Sequence, residues 1–111
     1  MMRKVLFTAR VAEHIKHFHL PFIKMLENMG CQVDVACKVD VRLEGIVKGR
    51  VWDVPFARSV YAPNSVKAMN AIKLLYEREQ YDFVHTHTPI ASFMTRYALR
   101  NSDVPVIYTA H

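Results

Sequence analysis

Residues 81–93 read YDFVHTHTPIASF, and the order of fold elements follows from them. Asp82 to Thr86 is a short β-rich run. It ends in two histidines one residue apart, and Thr88-Pro89 then has the form of a helix start, an N-cap followed by proline at the first helical position. Ile90, Phe93, Met94, Tyr97 and Ala98 follow at helical spacing and predict a buried stripe on a helix running to about Arg100. Neither a strand nor a helix start needs histidine, so the junction is a candidate for chemistry.

Working outward, the same strand-then-helix unit recurs. Arg3 to Ala9 (RKVLFTA) predicts a first strand. A histidine-rich loop follows, then a helix beginning near His17 to Leu20, because Pro21 fits only a first helical turn. Its predicted stripe is Phe18, Phe22, Met25, Leu26 and Met29, and Gly30 is its C-terminal cap. Cys31 to Cys37 alternates with period two and predicts a second strand. Residues 38–50 are a loop or edge hairpin. Residues 51–56 are a short edge strand, since Pro55 cannot donate to a ladder. Residues 58–64 are a loop, with Asn64 the expected N-cap of a helix over 65–80, whose stripe is Ala68, Ala71, Ile72 and Leu75 with Val66 and Met69 beside it. Val104 to Thr109 is the last strand. This alternation implies an α/β, Rossmann-like, mostly parallel sheet flanked by helices.

The bulk properties fit one domain. The chain has 111 residues, 51% hydrophobic and 23% charged, with 3 Gly and 5 Pro, which excludes disordered and fibrous classes. The net charge of +5 favours an anionic partner, but the basic residues are scattered without interleaved aromatics, so nucleic acid is not expected. No apolar run reaches the length of a membrane span. Cys31 and Cys37 share one strand face about 20 Å apart at roughly 3.3 Å per residue, beyond disulfide reach, and suit the reducing cytoplasm.

Ligands of parallel sheets bind beyond the carboxyl ends of the strands. Arg10, His14, His17 and His19 follow the first strand, His85, His87 and Thr88 end the fourth, and His111 ends the fifth. All 6 histidines of the chain thus lie at or near one edge. Imidazoles that donate, accept or carry a proton suit sugar hydroxyls and phosphates. The competing reading is structural: His85 is a satisfied core histidine, and His14, His17 and His19 a solvated helix start. Metal binding is not expected, since no Cys, Asp or Glu stands close to complete a shell. TARVAEH lacks the GxGxxG of a dinucleotide clamp, and GxSxG, Walker and CxxC motifs are absent.

RKVLFTA, the spacing H-x-x-x-F-H-L-P-F, YDFVHTHTP and VIYTAH together resemble the opening of glycosyltransferase family 4 enzymes of the GT-B fold, of the bacterial surface-polysaccharide type. The resemblance runs the length of the chain. It implies that residues 1–111 are the N-terminal, acceptor-side domain, with the C-terminal donor-binding domain absent. It implies a metal-independent, retaining transfer from a nucleotide-sugar donor to a glycan or lipid-linked acceptor. By resemblance His111 takes the catalytic place, while Arg10, His14, His19, His85, His87 and Thr88 lie on the substrate side. No glycine occurs in Ala9-Arg10-Val11-Ala12, where the family often approaches the donor phosphates.

The isolated chain is expected to be inactive and cytoplasmic. Lys16, Lys24 and the 38–50 loop could touch acidic headgroups at the inner face of the membrane. Val106 and Tyr108, on an uncovered flank, could drive self-association. Two other readings remain: a UDP-sugar 2-epimerase-like fragment, whose opening TARVAEHIK would suit, and a non-catalytic α/β binding module.

Overall fold

The computed structural model describes residues 3–43, 45–56 and 62–108, apart from the side chains of His17 and Phe18. Five parallel strands form one sheet in the order β3-β2-β1-β4-β5. They are β1 (Lys4–Val11), β2 (Gln32–Lys38), β3 (Val51–Asp53), β4 (Phe83–Thr86) and β5 (Val106–Tyr108). This is the doubly wound order, and the chain reverses direction across the sheet between β1 and β4. Helices α1 (Ala12–His14) and α2 (Leu20–Asn28) lie on one face, joined by a π-helical turn over Ile15–His19. Helices α3 (Asn64–Glu79) and α4 (Pro89–Ala98) cover the other.

Each face buries one register of the strands. Val5, Phe7 and Ala9 pack with Val33, Val35 and Cys37 against Ile15, Ile23 and Leu26. Leu43 and Val47 seal that face where no helix runs. On the other face Leu6, Ala36 and Val84 meet Ala68, Ile72 and Leu75 of α3 and Ala91, Met94 and Leu99 of α4. Removal from water is the main stabiliser, roughly 1.5–3 kcal/mol for each large apolar side chain.

Three expectations are corrected. First, the histidine-rich segment expected as a loop is helical from Ala12, while the regular helix α2 begins at Leu20, within the expected His17 to Leu20. Pro21 lies in the first turn of α2, as expected, directly after the π turn. The buried positions of α2 are Ile23 and Leu26; Phe22, Met25 and Met29 are exposed, and the Phe18 side chain lies outside the described residues.

Second, the buried stripe of α4 is Ala91, Ser92, Met94 and Thr95, not Phe93 and Tyr97, which are about half exposed. Polar contacts decide this: Ser92 Oγ donates to Thr86 Oγ1 at 2.7 Å, and Thr95 Oγ1 lies 3.2 Å from Thr8 Oγ1. Third, Asn64 is the first residue of α3 and Pro63 its cap, with no side-chain capping bond.

Other boundaries follow the sequence closely. Gly30 adopts φ +92°, with Gly30 N–H donating to Glu27 O and Cys31 N–H to Leu26 O at 3.0 Å each, a Schellman cap on α2. Thr88 caps α4 with extended backbone, and Pro89 opens it. Both cysteines are free; burial, with Asp40 and Asp53 nearby, pushes the Cys37 thiol up to about 12.

On β5 it is Ile107 that stands exposed, while Val106 and Tyr108 are half-buried. Lys24 is used inside the chain: its Nζ donates to Ile46 O and pairs with Glu27 at 3.4 Å.

Candidate functional site

The carboxyl edge of the sheet is held together where the chain changes direction. The His87 N–H donates to Thr8 O at 3.1 Å, and the Arg10 N–H donates to Thr88 Oγ1 at 3.1 Å. The end of β1 and the turn entering α4 are therefore one unit. Thr88 spends its hydroxyl on this tie rather than on its own helix.

Two groups of residues occupy the edge. The first is an open cavity of about 530 Å³ at the ends of β1, β2 and β3, and Arg10, His14, Lys38, Asp40, Phe56 and Asn64 are among its walls. It mixes two cations, the two carboxylates of Glu13 and Asp40, an imidazole and an amide with an apolar wall. Asp40 is fixed because its Oδ1 accepts from the Glu13 N–H at 3.0 Å. Asp53 Oδ1 accepts from the Val39 N–H at 3.1 Å, which pins the loop leaving β2. Such a cavity can take a hydroxylated, negatively charged molecule: guanidinium and ammonium for phosphate oxygens, carboxylate and amide for hydroxyls.

The second is a buried imidazole cluster. His85 Nδ1 lies 2.7 Å from His87 Nε2. Phe7 stacks on His87 with ring centres 4.1 Å apart, His19 lies 3.8 Å from His87, and Phe22 lies 5.0 Å from His85. His19, His85 and His87 are 3%, 7% and 4% exposed, so these imidazoles face the core under the helical arm rather than the open edge. Burial lowers the pKa of His85 and keeps it neutral.

The expected convergence thus divides. Arg10 and His14 share the cavity, Thr88 braces it, and His19, His85 and His87 meet one another behind it. His111 and Thr109 lie outside the described residues. The sequence reading missed Lys38, Asp40, Phe56 and Asn64; Lys38 follows the last apolar residue of β2, and attention to the carboxyl ends of β2 and β3 would have found it. Among the described residues no grouping of three or more His, Cys, Asp or Glu could hold a metal ion, and no helix is long and apolar enough to cross a membrane.

The profile of the family described as Glycosyl transferase 4-like matches residues 4–111. The chain belongs to that family. It is 34% identical over 114 residues to EpsD of Bacillus subtilis (strain 168), whose given name is that of a glycosyltransferase, covering 100% of this chain and 29% of that protein. It is 27% identical over 101 residues to the UDP-Gal:alpha-D-GlcNAc-diphosphoundecaprenol alpha-1,3-galactosyltransferase of Escherichia coli, covering 87% of this chain and 26% of that protein. The chain therefore spans less than a third of either relative. Among solved structures, MurG of Acinetobacter baumannii superposes with a TM-score of 0.76 at 16% identity, covering 97% of this chain and 35% of that one. A UDP-N-acetylglucosamine 2-epimerase gives 0.73 at 16% identity, over 98% and 33%. These likenesses show the fold: a Rossmann-like part of a GT-B architecture.

Proposed function

We propose that this glycosyl transferase 4-like chain forms the acceptor-side domain of an enzyme that moves a sugar from a nucleotide-sugar to a glycan or lipid-linked acceptor in surface polysaccharide synthesis. The cavity at the ends of β1, β2 and β3 carries the reading. Arg10 and Lys38 are the groups for a diphosphate, Asp40 and Asn64 for sugar hydroxyls, and Phe56 forms the apolar wall. The E. coli relative's name supplies the model acceptor, a sugar on a diphospho-lipid. Transfer itself, metal-independent and retaining, with His111 at the donor sugar, needs a partner domain that binds the nucleotide, so this chain alone does not turn over. The domain works at the cytoplasmic face of the membrane, with exposed Lys16 toward acidic headgroups.

The experiment is calorimetric titration of the chain with a short-prenyl GlcNAc-diphosphate and, separately, with UDP-Gal and UDP-GlcNAc. The diphospho-lipid probe binds, and Arg10→Ala and Lys38→Ala each weaken it roughly tenfold to a hundredfold, the value of a charge-assisted hydrogen bond. Saturable binding of a UDP-sugar with none of the prenyl probe would overturn the acceptor assignment and favour a nucleotide-binding role.

A further inference from the structure

The His85–His87 contact carries a constraint that neither residue carries alone. Only one proton fits between Nδ1 of His85 and Nε2 of His87 at 2.7 Å. If His85 holds it, His87 Nε2 is bare, and neutral His87 keeps its proton on Nδ1; both rings are then the Nδ1–H tautomer. If His87 holds it, His85 Nδ1 is bare, and both rings are the Nε2–H tautomer. The two imidazoles must therefore share a tautomer and can change only together. Two N–H groups cannot face each other at that distance, so the pair accepts one further proton, not two.

We propose that His85 is a positioning residue: through this shared proton it locks His87, and with it the His87-Thr88-Pro89 turn at the substrate-binding edge. The path is short. The His87 side chain is held between His85, Phe7 and His19, its N–H is tied to Thr8 O, and the next residue accepts from the Arg10 N–H. The π turn delivers His19 to the same cluster, so the helical arm closes it from above. A displaced His87 would disturb the turn whose Thr88 hydroxyl holds the Arg10 N–H, and Arg10 is a wall of the cavity. The charged and titratable groups on the elements packed around the pair are Lys4 and Arg10 on β1, Glu13, His14, Lys16, His19, Lys24 and Glu27 on the helical arm, Arg96 and Tyr97 on α4 and Tyr108 on β5. The proposal rests on the acceptor reading only where it calls this edge substrate-binding.

The test is long-range 1H–15N NMR on the whole chain with 15N-labelled histidine, backed by two variants. In the wild type the two rings report the same tautomer, show scalar coupling across the N–H···N contact, and take up one proton as a pair on acidification. His85→Phe keeps the ring stacked on Phe7 but removes the nitrogen: His87 then samples both tautomers, and the Arg10 and Thr88 amide signals shift. His85→Asn puts a polar atom back near the Nδ1 position and restores a single His87 state, a rescue that a purely packing role does not produce. Affinity for the GlcNAc-diphosphate probe falls about fivefold in His85→Phe, the value of one ordinary hydrogen bond, and recovers in His85→Asn. Opposite tautomers in the wild type, or independent titration of the two rings, would overturn the proposal even if His85→Phe failed to fold. The nitrogen signals need no ligand, so a wild type that binds no probe counts against the acceptor reading and leaves the lock to be judged by them.

Discussion

The Tyr81 hydroxyl donates to Asp34 Oδ2 at 2.6 Å across 47 positions of sequence, inside the protein. Asp34 Oδ1 accepts from the Arg50 N–H at 3.0 Å and from Gln32 Nε2 at 3.3 Å. One fully buried carboxylate thus ties β2 to the entries of β3 and β4 at the edge opposite the candidate site. Burial and the neighbouring Asp34 carboxylate push the Tyr81 hydroxyl well above its ordinary pKa, so it stays a donor. Removing that donor leaves a buried acceptor short of a partner. Tyr81→Phe is expected to lose about 1–3 kcal/mol in urea denaturation, with probe binding at the far edge unchanged.

Gly49 makes the same clamp sterically exclusive. A Cβ there would sit 2.0 Å from Val33 O and 2.7 Å from Asp34 Oδ1. The first of these is backbone and cannot swing away. Gly49→Ala is expected to cost at least the 1–3 kcal/mol typical of overpacking, seen as a lower urea midpoint; a midpoint within error of wild type would contradict the geometry.

Thr8 and Thr95 give a cleaner sign. Their hydroxyls are buried against each other at 3.2 Å between β1 and α4. Thr8→Val or Thr95→Val alone strands a polar atom and should cost about 1–3 kcal/mol. The double variant replaces both partners by apolar groups of like shape and should recover most of that loss. A double-mutant cycle reads the coupling directly, and strict additivity would count against the contact.

Stability should also depend on pH through the imidazole cluster. His85 has a lowered pKa in the folded state because burial disfavours its charged form. The unfolded chain, with a pKa near the ordinary value of about 6.5, then binds the proton more readily. The contribution is fully present above that value and is lost as pH falls through it toward the folded-state pKa. Urea midpoints should hold between neutral and mildly alkaline pH and fall below about pH 6.5. In His85→Phe that part of the fall disappears.

The sheet was legible because its strands are short apolar runs bounded by punctuation, as at Cys31 to Cys37 and at Asp82 to Thr86 before Thr88-Pro89. What was not legible depended on long-range polar contacts. The stripe of α4 turned by one position because Thr8 and Thr86 offer hydroxyls to Thr95 and Ser92, and spacing within α4 carries no record of that. Pro21 correctly marked the first turn of α2, but local rules gave no sign that the histidine-rich run ahead of it is helical too. At the site, Arg10 and His14 were readable from the rule about strand ends. The paired HTH histidines stood out correctly as a junction, yet the helical arm that buries their rings comes from sequence more than fifty residues earlier.

The central claim is that the acceptor's charged end lies in the cavity at the ends of β1, β2 and β3. Mapping amide and side-chain NMR shifts of the whole chain against the short-prenyl GlcNAc-diphosphate tests it most directly. The account predicts saturable shifts at Arg10, His14, Lys38, Asp40 and Asn64, with little change at Asp34, Gly49 and Tyr81. Shifts centred on the opposite edge, or none at the five cavity residues while the probe binds elsewhere, would contradict it.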